Sequence, residues 1–272
     1  MPVFVFGSNV AGRHGKGAAL YARVHYEAES GVGEGLTGRA YAIPTKDAQL
    51  RTLPIEQILP AVHRFIEYAR ANPKMLFDVT PIGCGLAGYR HAWIAPLFSG
   101  APQNCRFTND AFAALVPRPQ VKTRIIVAGP RSLTDQDLVW SVLDRMATRG
   151  KFEVVCCEAP GAATLGREWA DDRCWRDGNW PQPYSLLAAW DDLEVPCARI
   201  KVRRSAGGGQ YNTQAGRDCN AWMAAYGTHL LAFWNRKSPR TRNMISLAKS
   251  VGLPTKVITT RCAHDEAHSP PR

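Results

Sequence analysis

The sequence predicts an α/β protein made of two three-layer domains. Short apolar segments rich in β-branched and aromatic residues alternate with helical patterns, and glycine-rich loops follow several of these segments. A stretch with two prolines among polar residues, 116–122, separates the two halves. At 272 residues the chain is long enough for two domains. We therefore predict domains at 1–117 and 125–261, a linker at 118–124 and a disordered tail at 262–272.

The first predicted strand leads into a loop that suits phosphate. Residues 2–6 are apolar and β-prone, and a helical pattern opens at Ala18. The loop between them contains small and polar residues, namely Gly7, Ser8, Asn9, Gly12, Gly15 and Gly17. A backbone without bulky side chains lets an anion approach, and the first N–H groups of a helix are unpaired donors at its positive end. The stretch therefore predicts a phosphate-binding loop, with an ordinary tight turn as the alternative.

Two more predicted strands end in residues of the same kind. Residues 77–82 predict a strand before a second glycine-rich loop, and 40–47 predict a strand that ends in the charged pair Lys46 and Asp47. The second loop consists of Gly83, Cys84, Gly85, Leu86, Ala87 and Gly88. Because open α/β sheets bind ligands at the carboxyl ends of their strands, we expect the three strand ends to form one nucleotide-sized cleft.

Together, the motifs FGSN…HGKGAA, AIPTKD and PIGCGLAG resemble a macrodomain, the fold that binds ADP-ribose. The resemblance covers roughly residues 1–117 and is greatest to the small phage and bacterial macro-like proteins and to the terminal ADP-ribose glycohydrolases. It implies that Asn9 and the loop from His14 to Ala18 hold the distal ribose and the phosphates. It also implies that the loop from Gly83 to Gly88 wraps the diphosphate.

The same resemblance bears on catalysis. Lys46 falls where the glycohydrolase branch carries a catalytic lysine, but Ala87 stands where that branch carries an acid in the second loop. This departure puts covalent lysine chemistry in question, and Asp47 is the candidate substitute for the missing acid. We expect any catalysis by the first domain to depend on Lys46 or Asp47.

Composition narrows the class of protein further. The chain has no apolar run near the roughly 18 residues of a membrane span, and its N-terminus lacks the pattern of a signal peptide. Eight cysteines without metal-ligand spacing or a small-domain disulfide pattern favour a reducing cytosol. The net charge of +11 suits an anionic ligand, and suits nucleic acid only weakly because the basic residues form no long stripe. The sequence thus predicts a cytoplasmic protein without a metal or a cofactor.

Helical and extended patterns place the remaining elements. In the first half, 54–70 predicts a helix with Thr52 as its cap and a kink at Pro60, and 89–117 predicts a loop with a short helix near 109–115. In the second half, four segments predict strands: 124–129, 152–157, 229–234 and 255–260. Helical patterns between them begin near Ser132, Ala162 and Asn243. This alternation predicts a doubly wound parallel sheet.

The second half resembles the SLOG superfamily through the motifs AGPRSLTD, EAPGAATLGREWA and AGRDCNAWMAAYGTHLLAFWNRKSPRTRNMISLAK. That Rossmann-like group includes lysine-decarboxylase-like nucleotide hydrolases, the DNA-processing protein family and nucleotide-sensing modules. The resemblance covers about 125–260, with an insertion at 173–210. It implies that ligand-binding positions lie near the strand ends, at Gly129, Pro130, Arg131, Gly161, Ala162, Asn220, Trp234, Ser238, Arg240 and Thr241. It also implies self-association through this domain.

Departures from the SLOG pattern affect its expected chemistry. The loop 235–241 carries arginines where the family has glycines, and no acid follows Thr241 where hydrolase members carry a catalytic glutamate. Because glycosidic cleavage needs a carboxylate, we interpret the second domain as a binding module. The arginines would hold phosphates as forked donors or form a solvated surface loop, and the sequence leaves both readings open.

The insertion in the second half is rich in aromatic and basic residues. Trp175, Trp180, Tyr184 and Trp190 would stack on a base or pin down a long loop. The basic run 199–204 has alternating apolar residues, which predicts either a strand with one charged face or a ribbon that faces phosphate.

Three function classes follow. The first is a protein that binds an ADP-ribose- or NAD-derived nucleotide. In this class the chain would be a phage-type protein that counters host defence by sequestering or degrading a nucleotide signal. The second is an ADP-ribosyl hydrolase acting on ADP-ribosylated substrates. The third is a nucleotide sensor or DNA-processing protein. Two nucleotide-type domains in one chain favour binding of a small nucleotide over binding of nucleic acid, and the phage setting depends on family analogy.

Overall fold

The computed structural model of the chain describes residues 1–203 and 208–260. These residues form two compact units: Met1–Pro119 with Trp190–Asp218, and Gln120–Ala189 with the chain from Cys219 onward. The division at 119/120 falls within the predicted linker 118–124, and 190–218, which was predicted as part of the second domain, groups with the first unit. The predicted disordered tail at 262–272 lies outside the described residues.

The first unit is built on a mixed five-stranded sheet of order β2-β3-β1-β4-β5. Its strands are β1 (Val3–Asn9), β2 (Gly35–Thr37), β3 (Ala40–Lys46), β4 (Phe77–Val79) and β5 (Cys105–Phe107). Four strands run parallel, and only β2 pairs antiparallel, with β3. The predicted strands at 2–6, 40–47 and 77–82 are therefore present, and the parallel strands β1, β3 and β4 end at the same edge of the sheet.

Helices cover both faces of this sheet, as the three-layer prediction requires. They are α1 (Gly17–Tyr26), α2 (Ile55–Ala71), α3 (His91–Ile94), which runs into a 3-10 turn (Ala95–Phe98), and α4 (Asp110–Ala113). Helix α1 packs on Phe6 and on the small residues Ala40 and Ala42. Helix α2 packs on the other face, where Phe65 meets Tyr41 edge-on with ring centroids 5.0 Å apart. Alternate residues of each strand thus contact helices on opposite faces of the sheet.

The structure corrects some details of the first half. Thr52 does not cap α2, because Pro54 is the N-cap residue and the Thr52 hydroxyl donates to the Ala87 carbonyl at 3.0 Å. Strands β2 and β5 were not predicted, since three-residue strands carry too little periodicity. The short helix near 109–115 is present as α4, and Asn109 caps it by accepting from the Phe112 N–H at 2.9 Å.

The second unit contains a five-stranded sheet of order β12-β11-β6-β7-β8, in which all neighbours are parallel. Its strands are β6 (Arg124–Ala128), β7 (Glu153–Cys157), β8 (Tyr184–Leu186), β11 (His229–Trp234) and β12 (Thr255–Thr259). Counted within this sheet, the order reads 3-2-1-4-5 from β8 to β12, which is the Rossmann order. The strand order reverses between β6 and β11, and ligands bind beyond the carboxyl ends of the strands at such a point.

Four helices flank the second sheet: α5 (Gln136–Ala147), α6 (Ala162–Asp177), α7 (Ala215–Tyr226) and α8 (Pro239–Ser250). Helices α5 and α6 pack on one face around the fully buried Trp169, which stacks on Phe152 with centroids 5.3 Å apart. On the other face, a Cβ added at Gly227, after α7, would lie 2.5 Å from Ile126. The doubly wound parallel sheet is therefore confirmed.

The insertion has more structure than the sequence predicts. Helix α6 continues to Asp177, and β8 adds an unpredicted edge strand. Trp180 is buried against Trp169, and Tyr184 stacks on Tyr226 with centroids 4.1 Å apart. These two aromatic side chains therefore pin the insertion to the core. Strands β9 (Ile200–Val202) and β10 (Gln210–Asn212) form a hairpin, which matches the strand predicted in the basic run.

Described residues of the segment 190–218 contact the rest of the first unit. The Cys197 thiol donates to the Thr52 carbonyl at 3.0 Å, and Arg217 forms an ion pair with Glu56 at 3.1 Å. Buried Asp218 accepts a hydrogen bond from Gln214 at 3.2 Å. None of the helices in the described ranges is long and apolar enough to cross a membrane.

Candidate functional site

A cavity of about 700 Å³ opens at the strand ends of the first unit. The loops after β1, β3 and β4 and the start of α1 form its walls. Its lining residues are Gly7, Ser8, Asn9, Arg13, Gly15, Lys16, Gly17, Ala18, Ala19, Thr45, Lys46, Leu50, Thr80, Pro81, Ile82, Gly83, Gly85, Leu86 and Ala87. The volume is in the range of small-molecule and cofactor sites. The three motifs that the sequence singled out thus converge on one site.

The loop after β1 is held by side chains of the strand itself. The Asn9 amide donates to the Arg13 carbonyl at 2.8 Å and accepts from the Arg13 N–H at 3.1 Å. The Ser8 hydroxyl donates to the Gly33 carbonyl. These buried side chains shape the loop, so the groups free to meet a ligand there are chiefly backbone N–H groups and the side chains of Arg13 and Lys16.

The start of α1 has no side-chain cap among the described residues and lies at the cavity. Its N-cap residue, Lys16, has an extended backbone and makes no side-chain capping bond within the described chain. The unpaired N–H groups of the first turn, from Gly17 to Ala19, therefore lie along the cavity wall at the positive end of the helix dipole. Arg13, Lys16 and Lys46 add positive charge, and none of the described residues that line the cavity is acidic.

Glycines bring the first and second loops close together. A Cβ built at Gly7 would lie 3.1 Å from the Gly83 backbone nitrogen, and Gly83 has a φ of +70°. A Cβ at Gly85 would meet no described atom within 4 Å, because it would project into open space. Exposed Leu86 lies beside the start of α1, since a Cβ at Gly17 would be 3.2 Å from its side chain. The second loop thus offers backbone and one apolar side chain to the cavity.

The two candidate catalytic residues have different environments. Lys46 is half-buried and lines the cavity. Asp47 is outside the lining and accepts bonds from the backbone of Gln49 and Arg51 and from the Arg51 guanidinium, the last at 2.7 Å. Desolvation would raise the pKa of Asp47, but the hydrogen bonds from Arg51 and Gln49 lower it overall. Asp47 is therefore an ionised structural carboxylate rather than a free acid or base.

Some predicted residues do not line the cavity. His14, Cys84 and Gly88 are not among its lining residues. The buried His14 ring meets Phe6 edge-on at 5.2 Å, and burial lowers its pKa, so it is a neutral core residue. Burial raises the pKa of Cys84 to about 12, which keeps it a thiol. Conversely, the sequence reading missed Arg13, although it stands inside the glycine-rich loop.

The second unit has two adjoining cavities at its strand ends. The inner one, of about 30 Å³, lies where β6, β7, α7 and α8 meet, and the outer one, of about 230 Å³, lies beside the start of α6. Residues of the predicted set that line the inner cavity are Gly129, Arg131, Asn220, Arg240 and Thr241. Cys157, Ala159, Pro160 and Ala163 line both cavities. The inner space admits a water or a small ion, and only the outer space admits a larger group.

Two glycines allow the loops of the second unit to pack tightly. A Cβ at Gly129 would lie 2.6 Å from the Ala162 side chain. Gly161, the N-cap residue of α6, has a φ of +86°, and a Cβ there would lie 2.2 Å from the Pro130 carbonyl. Because glycine makes no side-chain cap, the first N–H groups of α6 stay available beside the outer cavity.

The second part of the predicted loop 235–241 is in fact the start of a helix. Helix α8 begins at Pro239, and Ser238 caps it by accepting from the Thr241 N–H at 3.4 Å. Proline suits the first helical position and serine suits the cap, so the sequence contained this signal. Asn220 donates to the Arg240 carbonyl at 3.3 Å and to Asn243 at 2.8 Å, which anchors α7 to the start of α8.

The remaining predicted residues of the second unit do not line either cavity: Pro130, Gly161, Ala162, Trp234 and Ser238. Pro130, Gly161 and Ala162 shape the contact between two loops, and Ser238 caps α8. The Arg242 guanidinium lies over the Trp234 ring, 5.9 Å from its centroid. Cys157 lines both cavities, and the sequence analysis did not single it out because its neighbours belong to distant parts of the chain.

We expect Gly161→Ala to lower the free energy of unfolding of the second unit by about 2–3 kcal/mol, since the substitution combines a left-handed backbone with a clash against Pro130. Gly178→Ala is the matched control, because Gly178 also has a positive φ of +62° but its Cβ would meet open space among the described atoms. Urea unfolding measures both variants. Equal losses of unfolding free energy in the two variants would show that the close packing of the loops contributes nothing to stability.

Comparison with known families bears on the second unit. The family model described as "YAcAr: YspA, cpYpsA-related SLOG family" matches residues 123–177, which contain β6, α5, β7 and α6. This stretch is therefore similar to a SLOG domain, and over it the predicted SLOG resemblance is confirmed. Comparison with curated proteins and with solved structures finds no match for the chain. The macrodomain resemblance stays a prediction, because the family match does not extend to residues 1–117.

Proposed function

We propose that this protein binds a nucleotide of the ADP-ribose type in the cavity of its first unit. The observation that carries the proposal is the convergence of an uncapped helix start, two glycine-rich loops and three cationic side chains on one cavity of about 700 Å³. Backbone N–H groups and positive charge suit a diphosphate. The exposed side chains of Leu50 and Leu86 offer apolar surface for a base or a ribose.

Binding without turnover is the activity that the site supports best. Lys46 lines the cavity and has a nucleophilic side chain, but none of the described lining residues carries a carboxylate. Glycosidic cleavage needs such a group, and Asp47 is engaged with Arg51. Sequestration of a NAD-derived signal is consistent with this activity, and a phage counter-defence role stays a prediction from family analogy. Cytoplasmic location and self-association also stay predictions.

The SLOG similarity supports a second nucleotide-type site, because SLOG domains typically bind nucleotides. Arg131 and Arg240 line the inner cavity of the second unit, and α6 begins with an uncapped turn. A phosphate on these groups would be held by charge-assisted bonds. Because the inner cavity measures about 30 Å³, we assign it a phosphate or smaller group and not a whole nucleotide.

Calorimetry with the full chain tests the proposal. ADP-ribose should bind with about one equivalent at the first unit, more tightly than AMP or ribose 5-phosphate, because a diphosphate spans both glycine-rich loops. Lys46→Gln should weaken binding by about tenfold, the loss of one charge-assisted contact, and the affinity should fall as salt rises. Lys74→Gln, at an exposed lysine outside the cavity lining, is the matched control. Absence of heat with all three ligands would refute the proposal.

A further inference from the structure

The second glycine-rich loop has backbone donors without a partner in the described chain. The N–H groups of Gly85, Leu86 and Ala87 make no hydrogen bond to any described residue, and all three residues line the cavity. The next two N–H groups, those of Gly88 and Tyr89, donate to carbonyls of the same loop at 2.9 and 3.0 Å. Successive free N–H groups can hold an anion only while the loop keeps them turned toward one point. The shape of this loop therefore decides whether it can bind phosphate.

Two hydrogen bonds join the end of this loop to the chain that follows β3. The Thr52 hydroxyl donates to the Ala87 carbonyl at 3.0 Å, and the Tyr89 hydroxyl donates to the Leu53 carbonyl at 2.7 Å. Tyr89 is buried, and a buried hydroxyl that lost its partner would destabilise the fold. The loop is thus fixed at Ala87 and at Tyr89, on the far side of its free N–H groups from β4.

A segment from much later in the chain, 192–197, contacts the same end of the loop. Three successive residues each have a partner in this supporting segment: Gly88 with Pro196, Tyr89 with Cys197, and Arg90 with Asp192 and Glu194. A Cβ built at Gly88 would lie 3.5 Å from the Pro196 side chain, and the Arg90 ion pair with Glu194 measures 3.1 Å. The contacts therefore run along the chain directly after the second loop.

Cys197 connects the supporting segment to the cavity. Its thiol donates to the Thr52 carbonyl at 3.0 Å, and the hydroxyl of the same threonine holds the carbonyl of Ala87. Cys197 also has a φ of +67°, a left-handed backbone that is unfavourable for a residue with a Cβ. Such a conformation persists only where the surrounding contacts hold it. Cys197 is therefore held in one place, from which it fixes Thr52.

We propose that the supporting segment holds the second glycine-rich loop in its anion-binding shape, with Cys197 and Thr52 as positioning residues of the nucleotide site. This inference rests on the proposed function, because it assigns the loop to the diphosphate. A loop that is ordered before the ligand arrives loses less conformational entropy on binding, so the affinity is higher. The site of the first unit is then built from discontinuous chain, and residues 1–117 alone lack part of it.

Hydrogen exchange of the full chain without ligand tests the support of the loop. In Cys197→Ala, the amides of Gly88 and Tyr89 should exchange about fivefold faster than in the wild type, the equivalent of one net hydrogen bond. Cys197→Ser keeps a donor and should restore slow exchange. Exchange in β4 should stay unchanged in both variants. Cys174→Ala is the matched control, because the Cys174 thiol also donates to backbone carbonyls but belongs to the second unit.

Calorimetry with ADP-ribose tests the consequence for binding. Cys197→Ala should weaken binding about fivefold, and Cys197→Ser should bind like the wild type. If Cys197→Ala does not fold, Cys197→Gly removes the same thiol at a φ that glycine tolerates.

The two measurements separate this inference from the proposed function. Unchanged exchange at Gly88 and Tyr89 in a folded variant would overturn the supporting role, whether or not the wild type binds ADP-ribose. Faster exchange with unchanged affinity would overturn the positioning role. Faster exchange in the variant, with no binding by the wild type, would refute the proposed function and uphold the support of the loop.

Discussion

Replacing Gly85 by leucine is expected to lower the affinity for ADP-ribose by at least a hundredfold while leaving the fold intact. A Cβ at this position would meet no described atom within 4 Å, so the unliganded protein has room for the new side chain. That room is part of the cavity in which we place the diphosphate. A side chain there would exclude the phosphates from the backbone of the second loop, and each lost charge-assisted bond costs about 1.5–3 kcal/mol.

Calorimetry measures the loss of binding, and thermal melting checks that the variant is folded. Gly209→Leu is the matched control in the same unit, because Gly209 also lacks neighbours within 4 Å among the described atoms but lies in the β9–β10 hairpin, away from the cavity lining. The control should bind like the wild type. Unchanged affinity in Gly85→Leu would exclude the second loop from the ligand site.

The second prediction concerns the free energy of unfolding, which should fall as the pH rises because Asp218 loses its proton. Desolvation raises the pKa of this buried carboxyl from 3.8 to about 7, against the hydrogen bond from Gln214, and the charge of Glu56 adds to the rise. Tyr89 and Cys197 also face Asp218, and Arg217 pairs with Glu56. Folding therefore favours the protonated acid, whose contribution is complete below pH 3.8 and is lost as the pH approaches 7.

Between pH 5 and pH 8, Asp218 should reduce the free energy of unfolding by roughly 2–3 kcal/mol, at 1.36 kcal/mol per unit of pKa difference. Asp218→Asn is neutral at every pH and should abolish this part of the decline, so that the variant is more stable than the wild type at pH 8. Asp191→Asn, at an exposed aspartate of the first unit, is the control. Urea unfolding at both pH values gives the difference, and parallel declines in wild type and Asp218→Asn would contradict the assignment.

The sequence predicted most of the long elements because each has a strong local signal. The apolar stretch at 229–234 predicted β11, which pairs parallel with both of its neighbours. The apolar face of 54–70 predicted α2. Strands of three residues, such as β5 and β8, carry no usable period and take their conformation from the sheet beside them. The grouping of 190–218 with the first unit also lacks a local signal, since it depends on contacts such as that of Arg217 with Glu56.

The parts of the candidate site in the first unit that present backbone to the cavity could be predicted from the sequence. Gly7, Gly83 and Gly85 were identified because a close approach of chain or ligand requires glycine, and the structure brings them to one cavity. The positions of side chains were harder to predict, because the direction of a side chain depends on packing. His14 lies in a glycine-rich loop but points into the core against Phe6, and Cys157 gains its neighbours from α7 and α8.

Hydrogen exchange of the full chain, with and without ADP-ribose, tests the central claim most directly because it locates the ligand. We expect slower exchange in the amides of 15–19 at the start of α1 and of 83–88 in the second loop, where N–H groups would meet phosphate. Exchange in the β9–β10 hairpin should be unchanged. Protection confined to 129–131 and 157–163 of the second unit, or no protection in either unit, would contradict the assignment of the nucleotide to the first unit.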